Sequence, residues 1–222
     1  MKKVIRNMTQ AEYAYEIISK QILEGKIKPG EPLNEIELSK LTNTSRTPVR
    51  EAIGRLAYEK LVKVIPHRGA FVTKFNLEDI REIYQLREAV EGMAARLACN
   101  HIEIEKLEEI EQKCELLLNT SNIINHKTKH FEINNELHSY ILEKSGNTIF
   151  PSIVKQFQTV LQMEMEITAK LNSSIAESCD EHRKIIKALK ERDPDTAEQE
   201  MRKHIAEVYD WIVQALKKGI YI

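Results

Sequence analysis

Residues 38–62, LSKLTNTSRTPVREAIGRLAYEKLV, decide the fold of the first part of the chain. This stretch predicts two helices that are joined by a tight polar turn at residues 42–44. Ser45 or Thr47 can cap the second helix, and the following proline lies in its first turn, where a missing N–H is tolerated. The apolar residues of the second helix recur at helical spacing and are predicted to face inward: Val49, Ile53, Leu56, Ala57 and Leu61.

The start of the second helix carries cationic and hydroxyl side chains. Arg46, Thr47 and Arg50 are predicted to point outward beside Ser45, with Arg55 further along the helix. A recognition helix presents such side chains to the major groove of DNA. Ordinary arginines on a solvated helix face are the alternative interpretation. The polar turn, the apolar spacing and the hairpin that follows favour DNA binding.

That hairpin is predicted from an alternating pattern on both sides of Pro66-His67-Arg68-Gly69. It has a basic tip formed by His67, Arg68 and Gly69, so it is typical of the wing of a winged helix-turn-helix. The two cationic side chains could reach a narrow minor groove, where the backbone potential attracts positive charge. A plain basic turn is the alternative.

One further helix is predicted at the start of the chain, and the first helix of the pair has its own cap. Thr9 and Glu12 have the spacing of a capping box and open a helix that runs to about Glu24. Asn34 caps a second helix, Glu35–Leu41, whose apolar side is predicted to consist of Ile36, Leu38 and Leu41.

Composition places the chain among ordinary globular proteins. It has 222 residues, of which 42% are hydrophobic and 30% charged, and this length suffices for two modest domains. Its three cysteines are widely spaced and show neither a disulfide framework nor a metal-binding spacing. The sequence has no apolar run of membrane-spanning length and no signal-peptide pattern at its start, so we expect a cytoplasmic protein.

Charge is distributed unevenly along the chain. Residues 1–75 contain 14 Lys and Arg against 8 Asp and Glu, a net charge of +6. The remaining residues contain 19 basic and 26 acidic side chains, a net charge of −7. We therefore expect only the first part to meet a polyanion.

The β pattern ends at about Phe75, and residues 76–222 are predicted to form an all-α antiparallel bundle of about six helices. The predicted helices run from about Leu77 to Cys99, Ile102 to Leu118, Lys129 to Lys144, Asn147 to Lys170, from about Ser174, and from Asp193-Pro194 onward. The predicted fold is therefore mainly α, with domains at 1–75 and 76–222.

Three histidines lie on the inward sides of three different helices of this bundle. They are His138, with Asn134 one turn before it, His182 and His204. Buried core histidines are the simpler interpretation of each one alone. If they converge, their imidazoles and the Asn134 oxygen form a site suited to zinc or a neighbouring transition metal. His126 and His130 continue the His138 side, and we expect them to drift from the inward face or to mark fraying of the helix.

Taken together, these segments resemble the GntR family of transcription regulators, in its FadR-type branch with a C-terminal FCD domain. The resemblance extends from about Thr9 to Leu216, and a count of six helices places it nearer the VanR-like members. It depends on LNEIELSKLTNTSRTPVREAIGRLAYEKLV, PHRGAFV, LREAVEGMAARLA, NNELHSYI, EHRKIIKAL and DPDTAEQEMRKHI in that order.

The resemblance implies roles for particular residues. Arg46 and Arg50 match the family's DNA-reading arginines, Thr47 lies between them, and His67 and Gly69 match the wing tip. Ile36 stands where some members have a basic residue that contacts DNA, which puts that contact in doubt here.

In the FCD region, the resemblance places metal ligands at Asn134, His138, His182 and His204. Many members have aspartate where this chain has Asn134, and a neutral carboxamide removes one negative charge from the site. Arg87 is in a position to hold an effector carboxylate.

The sequence therefore predicts a homodimeric DNA-binding regulator, such as a repressor, on a near-palindromic operator. A small carboxylic acid would act as effector beside a divalent transition metal, with zinc preferred and nickel or manganese as alternatives. The rival hypothesis is an all-α metalloenzyme with Glu136 or Glu181 as a base. Both glutamates adjoin a histidine in sequence and are predicted to point away from the inward face, and this hypothesis leaves the basic first domain unexplained.

Overall fold

The computed structural model describes residues 8–119, 126–157, 160–161 and 174–218. The chain divides into two compact units. Residues 8–76 belong to the first, together with the described residues among 156–163, and the other described residues belong to the second. No described helix combines the length and apolar character that a membrane span requires.

The first unit is a three-helix domain with a two-stranded sheet. Its elements are α1 (Gln10–Leu23), α2 (Glu35–Thr42), α3 (Arg46–Tyr58), β1 (Val62–Ile65) and β2 (Gly69–Val72). The winged helix-turn-helix predicted from the sequence is confirmed.

Local chemistry accounts for the ends of these helices. Thr9 and Glu12 form the predicted capping box, in which the Thr9 side chain accepts from the Glu12 N–H and the Glu12 carboxylate accepts from the Thr9 N–H. Asn34 caps α2 by accepting from the N–H of Ile36. Asn43 then ends α2 in the left-handed conformation at φ 53°, which asparagine tolerates better than most residues. Ser45 precedes α3 without a side-chain cap hydrogen bond.

The core of the first unit lies where α1, α2, α3 and the sheet meet. It consists of buried residues from every element: Ala14, Tyr15, Ile18, Ile22, Leu33, Leu38, Val49, Ala52, Ile53, Leu56, Leu61, Val62 and Val72. The predicted apolar side of α2 is wrong for two residues, because Ile36 is 48% and Leu41 49% exposed. Only Leu38 and Thr42, four residues apart, face the core from this eight-residue helix.

A polar cluster ties α1 to the end of α3. The buried Glu59 carboxylate accepts from the Tyr15 hydroxyl at 2.5 Å and from Arg55 Nε at 3.1 Å. The Arg55 guanidinium also lies 3.6 Å from the centre of the Tyr15 ring. Arg55 therefore packs on α1 in addition to facing solvent, and its contacts fix the α3 axis.

The two strands form the predicted wing. They pair antiparallel from Val62 with Val72 to Ile65 with Gly69, leaving residues 66–68 as the tip. His67 at φ 60° and Gly69 at φ 98° adopt the left-handed conformation that closes so short a turn. The wing is anchored next to α2, because Leu33 N–H donates to the carbonyl of Ala70.

Among the described residues of the second unit, all regular secondary structure is helical. Its helices are α4 (Leu77–Ala98), α5 (Ile104–Asn119), α6 (His126–Lys144), α7 (Phe150–Lys155), α8 (Ser174–Lys190) and α9 (Pro194–Lys217). Helix α4 packs against α6 and α9, while α8 packs against α5 and α9. These contacts bring the inward faces of α4, α6, α8 and α9 together.

Two predicted helix boundaries in the second unit are wrong. Helix α6 begins three residues earlier than expected and includes His126. The continuous helix predicted from Asn147 to Lys170 instead ends at Lys155, with a turn at 156–157. The prediction for residues 158–159 and 162–170 lies outside the described residues.

Candidate nucleic-acid interface and metal centre

The first turns of α3 present a polar surface. Ser45, Arg46, Thr47 and Arg50 are all exposed, while Val49 between them is buried in the core. Anchoring of one side of a helix by its core residues fixes the direction of the opposite side. Arg46, Thr47 and Arg50, together with the cap residue Ser45, therefore all face solvent at the same end of α3.

Arg50 has a partner that the sequence did not indicate. Its Nε donates to both carboxylate oxygens of Glu35, each at 2.8 Å. Glu35 lies in the first turn of α2, so the contact joins the two helices of the motif. The Arg50 hydrogen bond holds the pKa of the Glu35 carboxyl below its usual value, and the carboxylate is ionised at neutral pH.

The wing tip is also open to solvent, since His67, Arg68 and Gly69 are exposed. The structure thus places both predicted groups of DNA-contacting residues on the surface of the first unit. Together with the excess of basic residues in this part of the chain, they form a cationic surface suited to phosphate contacts.

In the second unit, three histidines converge from three helices. His138 on α6, His182 on α8 and His204 on α9 are buried, and their potential ligand atoms all lie within 4.8 Å of one another. The distances between ring centres are 5.6 Å for His138 and His182, 5.2 Å for His138 and His204, and 4.7 Å for His182 and His204. One ion can therefore be reached by all three side chains.

Carboxylates lie behind two of these rings. His138 Nδ1 is 2.5 Å from Glu91 Oε2, and His204 Nδ1 is 2.7 Å from Glu181 Oε2. The Glu91 carboxylate is ionised and can only accept a hydrogen bond, so His138 carries a proton on Nδ1 in this contact. That tautomer leaves the Nε2 lone pair available, as in the carboxylate–histidine–metal arrangements of metalloproteins.

Glu91 is itself held by an arginine. Arg87 Nε donates to Glu91 Oε1 at 2.7 Å, and the two residues are 7% and 1% exposed. Burial alone would raise the pKa of Glu91, but the Arg87 charge and His138 lower it to about 2. The carboxylate is therefore ionised and oriented before any ion arrives.

Unpaired ring nitrogens test whether the site fits a metal ion. Among the described residues, His138 Nε2 and both ring nitrogens of His182 are buried and have no hydrogen-bond partner. Buried polar atoms are normally paired, so such nitrogens call for an additional ligand. Burial, followed by the influence of neighbouring histidines, holds the pKa values of His182 and His204 well below the usual range, so both rings are neutral and able to ligate. The donor set fits a transition-metal ion.

The remaining predicted residues of this region lie around the three rings. Asn134 is half-buried on α6, one turn before His138. Arg87 is buried and paired with Glu91.

His126 is half-buried, and its Nε2 is buried with no hydrogen-bond partner among the described residues. The expectation that His126 and His130 leave the inward face is wrong for His130. Its ring is buried, its Nε2 lies 3.1 Å from Ser178 Oγ, and it stacks 6.4 Å from the His182 ring. Burial lowers the pKa of His130 to about 4. Because α6 begins earlier than predicted, His130 lies inside a regular helix, and its side chain stays on the inward face of that helix.

The two glutamates of the enzyme hypothesis occupy different places. Glu136 accepts from Lys106 at 2.7 Å and Lys113 at 2.8 Å, and so belongs to an ion-pair cluster with α5. Glu181 does not point away from the site as expected, because it reaches the His204 ring on the neighbouring helix. It contacts the Nδ1 side, behind the ring. Burial raises the pKa of Glu181 to about 7.

Comparisons with known proteins agree with both halves of the molecule. The family model described as "Bacterial regulatory proteins, gntR family" matches residues 10–72, and the FCD domain model matches residues 82–207. The chain is 26% identical to the HTH-type transcriptional regulator YdhC of Bacillus subtilis over 92% of each chain. It is 27% identical to the transcriptional repressor RspR of Escherichia coli over 90% of this chain and 87% of that protein.

Among solved structures, the fold is similar to that of McbR/YncC from E. coli. The TM-score is 0.72 at 21% identity, with 96% of this chain and 99% of that one covered. At this identity the similarity concerns the fold alone.

Proposed function

Because the chain belongs to the GntR family of bacterial regulatory proteins and carries an FCD domain, it is a DNA-binding transcriptional regulator rather than an enzyme, and we propose that it is a repressor controlled by a small carboxylate. Its DNA-binding part would be residues 1–75, and residues 76–222 would bind the effector and form a homodimer. The observation that carries the regulatory part of the proposal is the convergence of three buried histidines, two of which, His138 and His182, have unpaired ring nitrogens.

On the DNA, Arg46 and Arg50 would enter the major groove with Thr47 and Ser45 beside them. The wing residues His67, Arg68 and Gly69 would approach the adjacent minor groove. The support is their exposure on one unit and the net charge of +6 in residues 1–75. A homodimer would present two such surfaces to the half-sites of a near-palindromic operator. RspR is itself a repressor, which favours the same role for this protein.

FCD domains bind metals, and here His138, His182 and His204 would hold the ion. Asn134 would add a neutral oxygen ligand. A set of imidazoles with one carboxamide favours zinc, with nickel or manganese as alternatives. When bound, the ion would supply positive charge and open coordination positions for a carboxylate. Glu91 and Glu181 would orient two of the rings from behind.

FCD domains also bind small-molecule effectors. We assign Arg87 to the effector carboxylate, which would share the guanidinium with Glu91, since a guanidinium has five N–H donors. Effector binding would then favour one arrangement of the two DNA-binding parts of the dimer over another. The affinity of the dimer for its operator would change to the extent that the effector binds one of those arrangements more tightly than the other.

A DNA-binding experiment tests the first half of the proposal. The native chain selects a duplex from a random-sequence pool, and titrations at fixed salt compare native protein with Arg46→Ala and Arg50→Ala. Loss of a base contact should weaken binding by about 1–3 kcal/mol and relax preference at one position. Loss of a phosphate contact should weaken all sequences alike and flatten the salt dependence. Unchanged binding in both variants would refute the assignment of α3.

A metal experiment tests the second half. Protein purified without chelator should contain a transition metal, and metal at about 100 times its dissociation constant should add about 2.7 kcal/mol to stability. Replacement of His138, His182 or His204 by alanine should remove most of this gain, and a second replacement should add little. If elemental analysis finds no metal, and zinc, nickel and manganese leave the melting curve unchanged, the three rings are core histidines.

A further inference from the structure

We propose that Glu35 is a positioning residue that orients Arg50 for base recognition and thereby raises sequence specificity. The inference rests on the proposed role of Arg50 in DNA binding. It assigns a function to an acidic side chain on a surface that must approach a polyanion.

The contact is specific in its geometry. Both Glu35 oxygens lie 2.8 Å from Arg50 Nε, although the two residues are 15 positions apart and on different helices. The Arg50 side chain is 65% exposed and that of Glu35 33% exposed, so the pair lies at the surface beside the recognition turn. An arginine in the second turn of α3 is thus restrained by the first turn of α2.

The restraint suits base reading. An arginine that recognises guanine uses two N–H groups of its planar guanidinium at once, so the orientation of the plane matters. Glu35 contacts the Nε edge of the Arg50 guanidinium, and the two terminal nitrogens of Arg50 extend beyond this contact. A side chain held in place before binding loses less conformational freedom when it meets the base.

The carboxylate also acts against non-specific binding. A negative charge close to Arg50 offsets part of the attraction to phosphates of any sequence. It therefore weakens binding to random DNA, while the orientation it imposes favours the correct base. Discrimination between partners commonly combines one favourable and one repulsive element in this way.

Glu37 provides a matched control. It lies two residues further along α2, is exposed, and has no ion pair among the described residues. Glu35→Gln and Glu37→Gln remove the same charge from the same helix. Glu35→Asp keeps the charge but shortens the side chain, so it tests orientation separately from charge.

The experiment measures binding of the full-length variants to the selected duplex and to a scrambled duplex at several salt concentrations. Both glutamine variants should bind the scrambled duplex more tightly, by a similar factor. Only Glu35→Gln should lose affinity for the selected duplex relative to Glu37→Gln, by about tenfold, with relaxed preference at the position that Arg50 reads. Glu35→Asp should lose preference without gaining affinity for scrambled DNA. In an Arg50→Ala background, Glu35→Gln should no longer change the preference.

The outcomes separate this inference from the proposed function. If Arg50→Ala weakens binding but Glu35→Gln behaves like Glu37→Gln, Glu35 does not position Arg50, while the assignment of α3 stands. If Glu35→Gln binds the selected duplex more tightly than Glu37→Gln, Glu35 competes with the DNA, and the inference is overturned. If Arg50→Ala itself has no effect, the proposed role of α3 fails first.

Discussion

Replacement of Glu91 by glutamine separates the stability of the second unit from its affinity for a metal ion. Glu91 is 1% exposed and accepts hydrogen bonds from Arg87 and His138. The amide has nearly the same shape as the carboxylate but carries no charge. The variant therefore leaves a buried guanidinium without its counter-ion and removes the charged acceptor behind the His138 ring.

The two effects have different sizes. Removal of one partner from a buried ion pair destabilises a protein by about 3–5 kcal/mol. Because the amide oxygen of Glu91→Gln can still accept from Arg87, we expect a loss near the lower value, about 3 kcal/mol. Loss of a partner behind a ligand lowers metal affinity by about 10–100-fold.

Glu181→Gln is the matched comparison. Its partner His204 is neutral, and the side chain is 14% exposed, so the substitution leaves no buried charge behind. We expect it to lower zinc affinity to a similar degree, while the stability of the metal-free protein changes by only about 1 kcal/mol. We therefore expect both variants to lose zinc affinity to a similar degree, and we expect Glu91→Gln to lose more stability than Glu181→Gln.

Urea unfolding of chelator-treated protein gives the stability, and competition with a chromophoric chelator gives the zinc affinity. Unchanged unfolding of Glu91→Gln would show that the Arg87–Glu91 pair contributes nothing to the fold. Unchanged zinc affinity in both variants would show that the carboxylates do not act through the histidines. Either result refutes the corresponding half of the reasoning.

Four further expectations concern other parts of the chain. Asn134→Asp should tighten zinc binding in the chelator competition, because it restores a negative charge beside the ion. A fragment of residues 76–222 should sediment as a helical dimer without DNA affinity, whereas a monomer would move dimerisation to the first domain. Gly54→Ala should raise stability by about 1 kcal/mol, since a Cβ there meets nothing within 4 Å. Gly92→Ala should lower stability by about 1 kcal/mol in the same urea titration, because its Cβ would lie 2.7 Å from the Arg202 side chain.

The elements of the first unit could be predicted because their signals are local. The capping box at Thr9, the Asn34 cap and the turn around Gly69 each involve residues within a few positions of one another. The burial of Ile36 and Leu41 was wrong because a short helix shows too little periodicity to reveal which side meets its neighbours.

The three histidines of the candidate metal site could be predicted from the sequence, but the carboxylates that contact their rings could not. Each ring could be placed on an inward stripe from helical spacing, although only the fold brings the three together. Glu91 was not predicted at all: it lies four residues from Arg87 on the same helix, but its contact to His138 joins residues 47 positions apart. Glu181 points away from its neighbour His182 and still reaches a ring on the next helix, which no pattern within one helix reveals.

The positions of the three rings along the chain have a consequence for biosynthesis. His204 lies on α9, the last of the described helices, so a ribosome synthesises it after the other two histidines and after the whole first unit. An ion that needs all three imidazoles would therefore bind only after residue 204 has been made. A chain that ends between residues 76 and 193 would keep the first unit and lack this ligand, so it would not hold such an ion.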